Sequence, residues 1–243
     1  MDIRKQKVLI VGGHSPIAMA IANKLSTSHN VSLLTRKIDA SIQMQIKDQV
    51  ELVEGDVTKM IELSSSTNSF LPEITSIVFA HRFRGDENNI EECLRCELLE
   101  PYELITKLVE NTETSNLKNI IFFTSPSAKR ILDDQALSYH IAKSALSQLV
   151  RYLAVRYARY GIKVVGISPS SFVAKQRSVK FYNENRALKE RIESKIPSGK
   201  FLSCEEIAEV TDSILASEGI ALSGNILDLD HGLGHSDAAG LIR

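Results

Sequence analysis

The stretch Val8-Leu9-Ile10-Val11-Gly12-Gly13-His14-Ser15-Pro16-Ile17-Ala18 decides the fold, because a short apolar run turns at two glycines and continues as a helix. An apolar run without in/out alternation is typical of a strand buried on both faces of a sheet. Pro16 suits a first helical turn, where its missing N–H is not needed. A glycine turn that opens a helix offers N–H groups and the positive end of the helix dipole to a pyrophosphate, although ordinary strand-to-helix turns look similar.

The same alternation of apolar run and amphipathic stretch continues along the whole chain. Six further strand-like runs are Val31–Leu34, Val50–Val53, Ile77–Ala80, Ile120–Phe123, Val164–Ile167 and Asn225–Leu229. We predict an α/β fold, a single-domain Rossmann fold over residues 1–243, with a doubly wound parallel sheet of about seven strands flanked by helices on both faces. Ligands of such sheets bind beyond the carboxyl ends of the strands, which is where the candidate site residues should lie.

Composition excludes several classes of partner. A formal net charge of −1 gives no general attraction to nucleic acid or to anionic membranes. No apolar run approaches the roughly 20 residues of a membrane span, and the first residues lack a signal-peptide core, so we expect a cytoplasmic protein. Cys93 and Cys96 form a CxxC in a helical pattern without a second Cys/His pair. We therefore expect inert thiols and no metal, rather than zinc or a redox pair.

The end of the second strand run indicates which dinucleotide would bind. Thr35-Arg36-Lys37 follow Leu34, whereas an NAD(H) site usually places a carboxylate here for the ribose 2′-hydroxyl. Arg36 can bind a 2′-phosphate through two parallel hydrogen bonds and Thr35 can donate another, which favours NADP(H) over NAD(H). A solvated basic loop is the alternative.

The segment Ser138-Tyr139-His140-Ile141-Ala142-Lys143-Ser144-Ala145-Leu146 opens a long helix that we expect to end near Tyr160-Gly161. The i, i+4 spacing places the phenol of Tyr139 and the ammonium of Lys143 on one face. A cation beside a phenol stabilises the phenolate, so Tyr139 can exchange a proton with a carbonyl or alcohol oxygen. Ser125, just after a strand run, would hold that oxygen; packing for Tyr139 and turn chemistry for Ser125 are the alternatives.

Taken in order and spacing, these motifs resemble the short-chain dehydrogenase/reductase family from Val8 to about Gly234. The matching features are the Gly12 turn, Gly55-Asp56-Val57-Thr58, Ser125, the Tyr139/Lys143 pair, Ile167-Ser168-Pro169 and Ser223-Gly224-Asn225 to Asp230-His231-Gly232. The resemblance implies that Tyr139 is the acid/base, that Lys143 binds the nicotinamide ribose and that Ser125 orients the substrate. It also implies a cofactor-binding set: Gly12, Gly13, His14, Ser15, Pro16, Ile17, Thr35, Arg36, Asp56, Val57, Ala80, His81, Tyr139, Lys143, Pro169 and Phe172.

Several positions depart from the family pattern. Pro16 and Ala18 replace the second and third glycines of the turn, and Phe79-Ala80-His81-Arg82 stands where the family has Asn-Asn-Ala-Gly. Glu97 replaces the asparagine of a water-linked proton relay, where it would anchor water or pair with Lys143. Ser170-Ser171 follow Pro169 in place of the usual glycine.

Residues 174–200 correspond to the family's mobile substrate lid, and residues 235–243 to a C-terminal tail. The lid segment carries eight Lys/Arg against three Glu. Together with His81, Arg82 and Arg84, this surplus favours an anionic small-molecule substrate, with a solvated lid helix as the alternative. The resemblance implies a homotetramer or homodimer.

The sequence therefore supports an NADP(H)-dependent oxidoreductase that transfers a hydride to or from a carbonyl/alcohol substrate. A catalytically weak NADP(H)-binding sensor or scaffold is the alternative that the departures favour. A nucleotide-sugar epimerase or dehydratase would use the same Tyr/Lys pair but generally adds a substrate domain for which this chain has no room.

Overall fold

The computed structural model describes residues 6–63, 71–110 and 116–236. Seven parallel strands form one sheet in the order β3-β2-β1-β4-β5-β6-β9, and a separate parallel pair joins β7 to β8. The strands are β1 Lys7–Val11, β2 Asn30–Thr35, β3 Val50–Glu54, β4 Ser76–Phe79, β5 Asn119–Phe123, β6 Lys163–Pro169, β7 Val173–Ala174, β8 Leu202–Ser203 and β9 Ile226–Leu229. The predicted fold is confirmed, and the small β7-β8 sheet is an addition that the sequence did not predict.

Helices cover both faces of the large sheet. They are α1 Pro16–Leu25, α2 Ala40–Gln45, α3 Val57–Leu63, α4 Ile90–Leu94, α5 Glu100–Glu110, α6 Leu137–Tyr157, α7 Gln176–Glu184, α8 Arg186–Glu193 and α9 Cys204–Ala216. A π-helical turn, Arg95–Leu99, joins α4 to α5. Within the described parts of the chain, no helix combines the length and apolarity that crossing a membrane requires.

The strand runs lack alternation because each face of the sheet has its own core. In β1, Val8 and Ile10 belong to one buried cluster, which α1 and α9 cover, whereas Leu9 and Val11 belong to the other. That second cluster packs against α3, α5 and α6. Burial on both faces is what a parallel sheet between helix layers requires.

Strand order reverses between β1 and β4, which opens a crevice beyond their carboxyl ends. Gly12, directly after β1, has φ +114°, and a Cβ there would lie 2.7 Å from Cα of His81. Only glycine allows this approach between the β1 turn and the residues that follow β4. The first turn of the sequence thus meets the end of β4 at the mouth of the crevice.

Helix α6 brings the Tyr/Lys motif to the same edge. Leu146, Val150 and Leu153 are buried in the cluster beneath the sheet, so the N-terminal turns of the helix reach the carboxyl end of β5. A 3₁₀ turn, Ala158–Tyr160, ends the helix, and Gly161 follows in the left-handed conformation with φ +68°. The predicted end near residues 160 and 161 is confirmed.

Candidate active site

A cavity of about 360 Å³ lies beyond the carboxyl ends of the central strands. Most of the residues that the sequence nominated line it together. They are Gly12, Gly13, His14, Ser15, Ile17, Thr35, Arg36, Asp56, Val57, Ala80, His81, Tyr139, Lys143 and Pro169.

Three nominated residues are placed elsewhere. Pro16 lines an adjoining groove between α1, α2 and α7. Phe172 stacks on Phe201 beneath the lid segment, with ring centroids 6.0 Å apart. Ser125 is 7% exposed next to the cavity wall, and its Oγ accepts a hydrogen bond from the Ser127 N–H at 3.2 Å. Turn chemistry thus uses one lone pair of the Ser125 hydroxyl and leaves its proton free to donate.

The turn after β1 leaves the start of α1 open to a ligand. The N–H groups of Gly12 and Gly13 both bond to the Leu34 carbonyl, at 3.1 and 2.9 Å, so neither is available to a phosphate. Ser15, the N-cap of α1, makes no capping hydrogen bond through its side chain. The amides of the first helical turn therefore have no partner within the helix and can bind an anion.

At the end of β2, the two residues predicted to bind a 2′-phosphate, Thr35 and Arg36, lie in different surroundings. The Thr35 hydroxyl is buried between the His14 ring, at 2.9 Å, and the Lys37 carbonyl, at 3.0 Å, which leaves it little capacity for a phosphate. Arg36 is exposed at the cavity, and among the described residues it forms no ion pair. Asp39 lies nearby, paired with His14 at 3.1 Å; that hydrogen bond, with one from the Ile42 N–H, lowers the pKa of Asp39.

The edge of the cavity at β3 is set by the start of α3. Asp56 Oδ1 accepts a hydrogen bond from the Lys59 N–H at 3.0 Å, which caps the helix. Val57 is buried beside it. Together they present a carboxylate and an apolar side chain to this end of the cavity.

Tyr139 and Lys143 face the cavity from successive turns of α6. Tyr139 is partly exposed, whereas Lys143 is buried with its ammonium 5.6 Å from the centroid of the Tyr139 ring. The ammonium donates to Glu97 Oε2 at 2.7 Å and to the Phe123 carbonyl at 2.8 Å. Two of its three hydrogens are therefore taken by the protein, and one remains for a ligand.

The Glu97–Lys143 ion pair is the most buried charged feature of the site, with side chains 1% and 3% exposed. The π-helical turn carries Glu97 inward, where its other oxygen accepts the Phe83 N–H at 2.7 Å. Burial alone raises the pKa of the Glu97 carboxyl, but the Lys143 ammonium outweighs it and holds the pKa below 4.5. Burial likewise opposes protonation of Lys143, yet Glu97 raises its pKa above 10.5. Both groups are charged at neutral pH.

His81 lines the cavity beside the Glu97–Lys143 pair, and its imidazole ring is neutral. Its Nε2 lies 2.9 Å from the Cys96 carbonyl, which only a protonated nitrogen can satisfy. Burial lowers the pKa of His81, against the opposing effect of Glu97. The remaining nitrogen, Nδ1, is buried and has no hydrogen-bond partner among the described residues.

The Arg82 side chain also lies against the Tyr139 ring. Its guanidinium carbon lies 4.2 Å from the ring centroid, and one nitrogen donates to Gln135 Oε1 at 2.6 Å. This geometry is a cation–π contact. A charged residue of the segment that departs from the family pattern after β4 thus lies directly against the candidate acid/base.

Sequence reasoning missed several side chains at the site. Phe83 and Lys175 also line the cavity, and Gln135 and Asp39 hold Arg82 and His14. The charge surplus of the lid segment was the signal for Lys175, but nothing in the local sequence indicated Gln135. The CxxC thiols contribute little, because burial raises the pKa of Cys93 above its ordinary value and raises the pKa of Cys96 to about 12. In the described ranges, no group of three or more His, Cys, Asp or Glu side chains could hold a metal ion.

The residues present suit a dinucleotide. The side chain of Ser15 does not cap the start of α1, and Arg36 is exposed at the cavity, where it can bind an anionic group. Lys143 keeps one hydrogen for a ribose hydroxyl.

Comparison with known proteins found similar sequences and similar folds. A family model described as Enoyl-(Acyl carrier protein) reductase matches residues 12–234. A probable 2,4-dienoyl-CoA reductase of Bacillus subtilis (strain 168) is 24% identical over 253 residues, covering 95% of this chain and 97% of the relative. A tropinone reductase homologue of Arabidopsis thaliana is 28% identical over 121 residues, which is 50% of this chain and 45% of that protein.

Solved structures share the fold along nearly the whole chain. The structure of ElxO with NADP bound superposes with a TM-score of 0.80 at 16% identity, covering 96% of this chain and all (100%) of that one. A 3-oxoacyl-[acyl-carrier protein] reductase from Brucella melitensis in complex with NAD has a TM-score of 0.78 at 18% identity, with 96% and 99% coverage. The family match and the sheet order together show that this chain belongs to the short-chain dehydrogenase/reductase family, whose members are oxidoreductases acting on carbonyl or alcohol groups with a nicotinamide cofactor.

Proposed function

We propose that this protein is an NADP(H)-dependent reductase or dehydrogenase in which Tyr139 exchanges a proton with the substrate oxygen. The observation that carries the proposal is the placement of Tyr139 and Lys143 on one face of α6, both at the cavity beyond the carboxyl ends of the strands. NADP(H), when bound, supplies or accepts the hydride. The chain's own residues have to bind it, orient the substrate and handle the proton.

Three groups would divide the work on the substrate side. Tyr139 Oη gives its proton to a carbonyl oxygen during reduction, or takes one from an alcohol during oxidation. Ser125 donates its free hydroxyl proton to the same oxygen. Lys143 uses its one remaining hydrogen on the nicotinamide ribose, and Glu97 keeps the ammonium in place and charged.

Cofactor binding would rest on the first turn of α1, on Asp56 and Val57 near the adenine, and on Arg36. Arg36 is the proposed partner of a 2′-phosphate, because Asp39 is already paired with His14. This pairing supports NADP(H) over NAD(H), because the Asp39 carboxylate, which follows β2 in the chain, is engaged by His14, whereas the Arg36 guanidinium forms no ion pair with the described residues.

Residues 174–200 are proposed to act as the substrate lid. Helices α7 and α8 lie in this segment, and Lys175 at its start reaches the cavity. Residues 237–243 of the proposed tail lie outside the described residues. Association into a dimer or tetramer is also proposed, since Tyr152 and Val155 on α6 are 51% and 82% exposed.

The test is NADPH consumption against charged and neutral carbonyl compounds, with Tyr139→Phe beside the wild type. We expect Tyr139→Phe to lower turnover by about 10²–10⁴-fold while NADPH still binds, because only the proton donor is lost. Tyr160→Phe is the control, since it removes a phenol at the far end of the same helical segment.

A sensor or scaffold that binds NADP(H) with little catalysis is the second candidate. The Arg82 guanidinium 4.2 Å above the Tyr139 ring favours it, because that side chain covers one face of the candidate acid. Tight NADPH binding without turnover that depends on Tyr139 would establish the sensor and overturn the enzyme.

A further inference from the structure

Three cations at the cavity have no counter-ion among the residues that the structure describes. Arg82, Arg84 and Lys175, here called the front cluster, come from the loop after β4 and from the residue after β7, and all three line the cavity. No carboxylate of the described residues forms an ion pair with any of them. By contrast, Lys143 in the same cavity has Glu97 at 2.7 Å.

Arg82 and Arg84 are both close enough to Lys175 to affect its charge. Burial, with the nearby guanidinium groups of Arg82 and Arg84, lowers the pKa of Lys175 below its ordinary value of 10.5. Arg82 and Lys175 are half-buried, whereas Arg84 is exposed. Like charges that are partly withdrawn from water and left uncompensated destabilise the folded chain. A bound anion would relieve this repulsion.

The position of Arg82 indicates which ligand carries the anion. Its guanidinium lies 4.2 Å from the Tyr139 ring centroid and is held there by Gln135, so it is at the reacting end of the cavity. The diphosphate of a dinucleotide belongs at the start of α1, where the amides of the first turn are open. Arg84 and Lys175 also line the adjoining groove next to Pro16, so they lie where the cavity meets that groove.

We propose that the front cluster binds the carboxylate or phosphate of the substrate, a carbonyl compound whose anionic group lies only a few bonds from the carbonyl that Tyr139 protonates. Arg82 is the main anchor, because a planar guanidinium can bind both oxygens of a carboxylate. Lys175 and Arg84 add charge from the lid side and the loop side. The proposal rests on the proposed reductase function and assigns its substrate class.

The test compares carboxylates with their uncharged methyl esters. Acetoacetate, levulinate and 4-carboxybenzaldehyde place the carboxylate at increasing distances from the carbonyl, and each has a methyl ester of similar shape. With NADPH, we expect kcat/KM for at least one acid to exceed that of its ester by tenfold or more. Arg82→Gln should reduce this ratio to near unity and Lys175→Gln should reduce it partly, whereas Arg151→Gln, an exposed cation of α6 outside the cavity, should leave it unchanged.

Binding without turnover supplies an independent measurement. The same acids and esters are titrated calorimetrically into the protein saturated with NADP⁺, where ketone reduction is impossible. Acid binding tighter than ester binding in the wild type, and equal binding in Arg82→Gln, would support the proposal. Equal binding of acids and esters in the wild type would overturn it.

The cofactor diphosphate is the competing ligand of these cations. If Arg82→Gln and Lys175→Gln weaken NADP⁺ binding by tenfold or more and leave the acid-to-ester ratio unchanged, the front cluster serves the cofactor and the proposal is wrong. Failure of the proposed function is a different result: NADP⁺ would not bind, or turnover of every ester and acid would be independent of Tyr139.

Discussion

Two groups of positively charged side chains line the same cavity, and they differ in whether a carboxylate of the described residues pairs with them. At the rear, Lys143 and Glu97 form a pair that is 3% and 1% exposed, and hydrogen bonds from Phe83 and to Phe123 complete it. At the front, Arg82, Arg84 and Lys175 have no carboxylate partner among the described residues. In the folded chain, the two charges of the rear pair neutralise each other and hold both side chains in place. The front cluster keeps its positive charge, which can attract an anionic ligand.

The largest expected effect comes from breaking the rear pair. Glu97→Gln leaves a buried ammonium without its counter-charge, which costs about 3–5 kcal/mol of the free energy of unfolding. Chemical denaturation with urea measures it. The double variant Glu97→Leu/Lys143→Met should recover much of the loss, because it removes both charges.

A surface ion pair is the matched control for that experiment. Glu103 and Lys107 lie 3.3 Å apart on the outside of α5, and Glu103→Gln should cost less than about 0.5 kcal/mol. If Glu97→Gln lowers the free energy of unfolding no more than Glu103→Gln does, a buried charge does not depend on the rear pair for its stabilisation.

The next effect concerns Arg36, a cation that is also without an ion-pair partner in the described chain. Losing a charged hydrogen-bond donor to a phosphate costs about 1.5–3 kcal/mol, so Arg36→Ala should raise the Kd for NADPH by roughly 10–100-fold. The Kd for NADH should change little. Fluorescence titration measures both.

The neighbouring residue provides the control for Arg36. Lys37 is exposed but does not line the cavity, so Lys37→Ala should leave both affinities nearly unchanged. Equal affinities of the wild type for NADPH and NADH would refute the proposed cofactor preference.

The free energy of unfolding should depend on pH through the ionisation of Glu97 and Lys143. Because the folded pKa of Glu97 lies below 4.5, its ionisation stabilises the fold above about pH 4.5, and this contribution is lost as the pH falls through the folded value. Because the folded pKa of Lys143 lies above 10.5, its contribution is complete below that pH and is lost as the pH rises through the folded value. The stability gap between wild type and Glu97→Gln should therefore be widest between these limits and narrow in acid. Urea midpoints at a series of pH values measure it, and a gap that does not change with pH contradicts the assignment.

The smallest expected effect is the uptake of a fraction of a proton by Lys175 when an anion binds to the front cluster. Burial and the two guanidinium groups lower the pKa of Lys175, and a bound carboxylate should raise it again. Anion binding at alkaline pH should then take up protons, which calorimetry in buffers of different ionisation enthalpy detects. Lys175→Gln should abolish the uptake; proton release by the wild type would contradict the account.

The fold was predictable because it follows from local patterns. Seven non-alternating apolar runs separated by amphipathic stretches specify a covered parallel sheet, and Gly12 and Gly161 mark the ends of their elements as expected. The small β7-β8 sheet was not predictable, because two-residue strands leave no periodic signal.

The members of the site and one of its contacts were predictable from the sequence. Pairing with Lys143 was one of the two roles predicted for Glu97, and the structure confirms it between residues 46 positions apart. This pairing also depends on a π-helical turn that helical periodicity does not reveal. In the same way, Arg82 reaches Tyr139 through a partner, Gln135, that lies 53 positions away in the chain.

The measurement that tests the central claim most directly is transfer of deuterium from NADPH labelled at the nicotinamide C4 to a carbonyl substrate, followed by mass spectrometry of the alcohol. We expect wild-type protein to yield alcohol with one deuterium on the former carbonyl carbon, and Tyr139→Phe to yield almost none while still binding the labelled NADPH. Labelled NADPH bound tightly with no deuterium in any product, or equal labelling by wild type and Tyr139→Phe, would contradict the account.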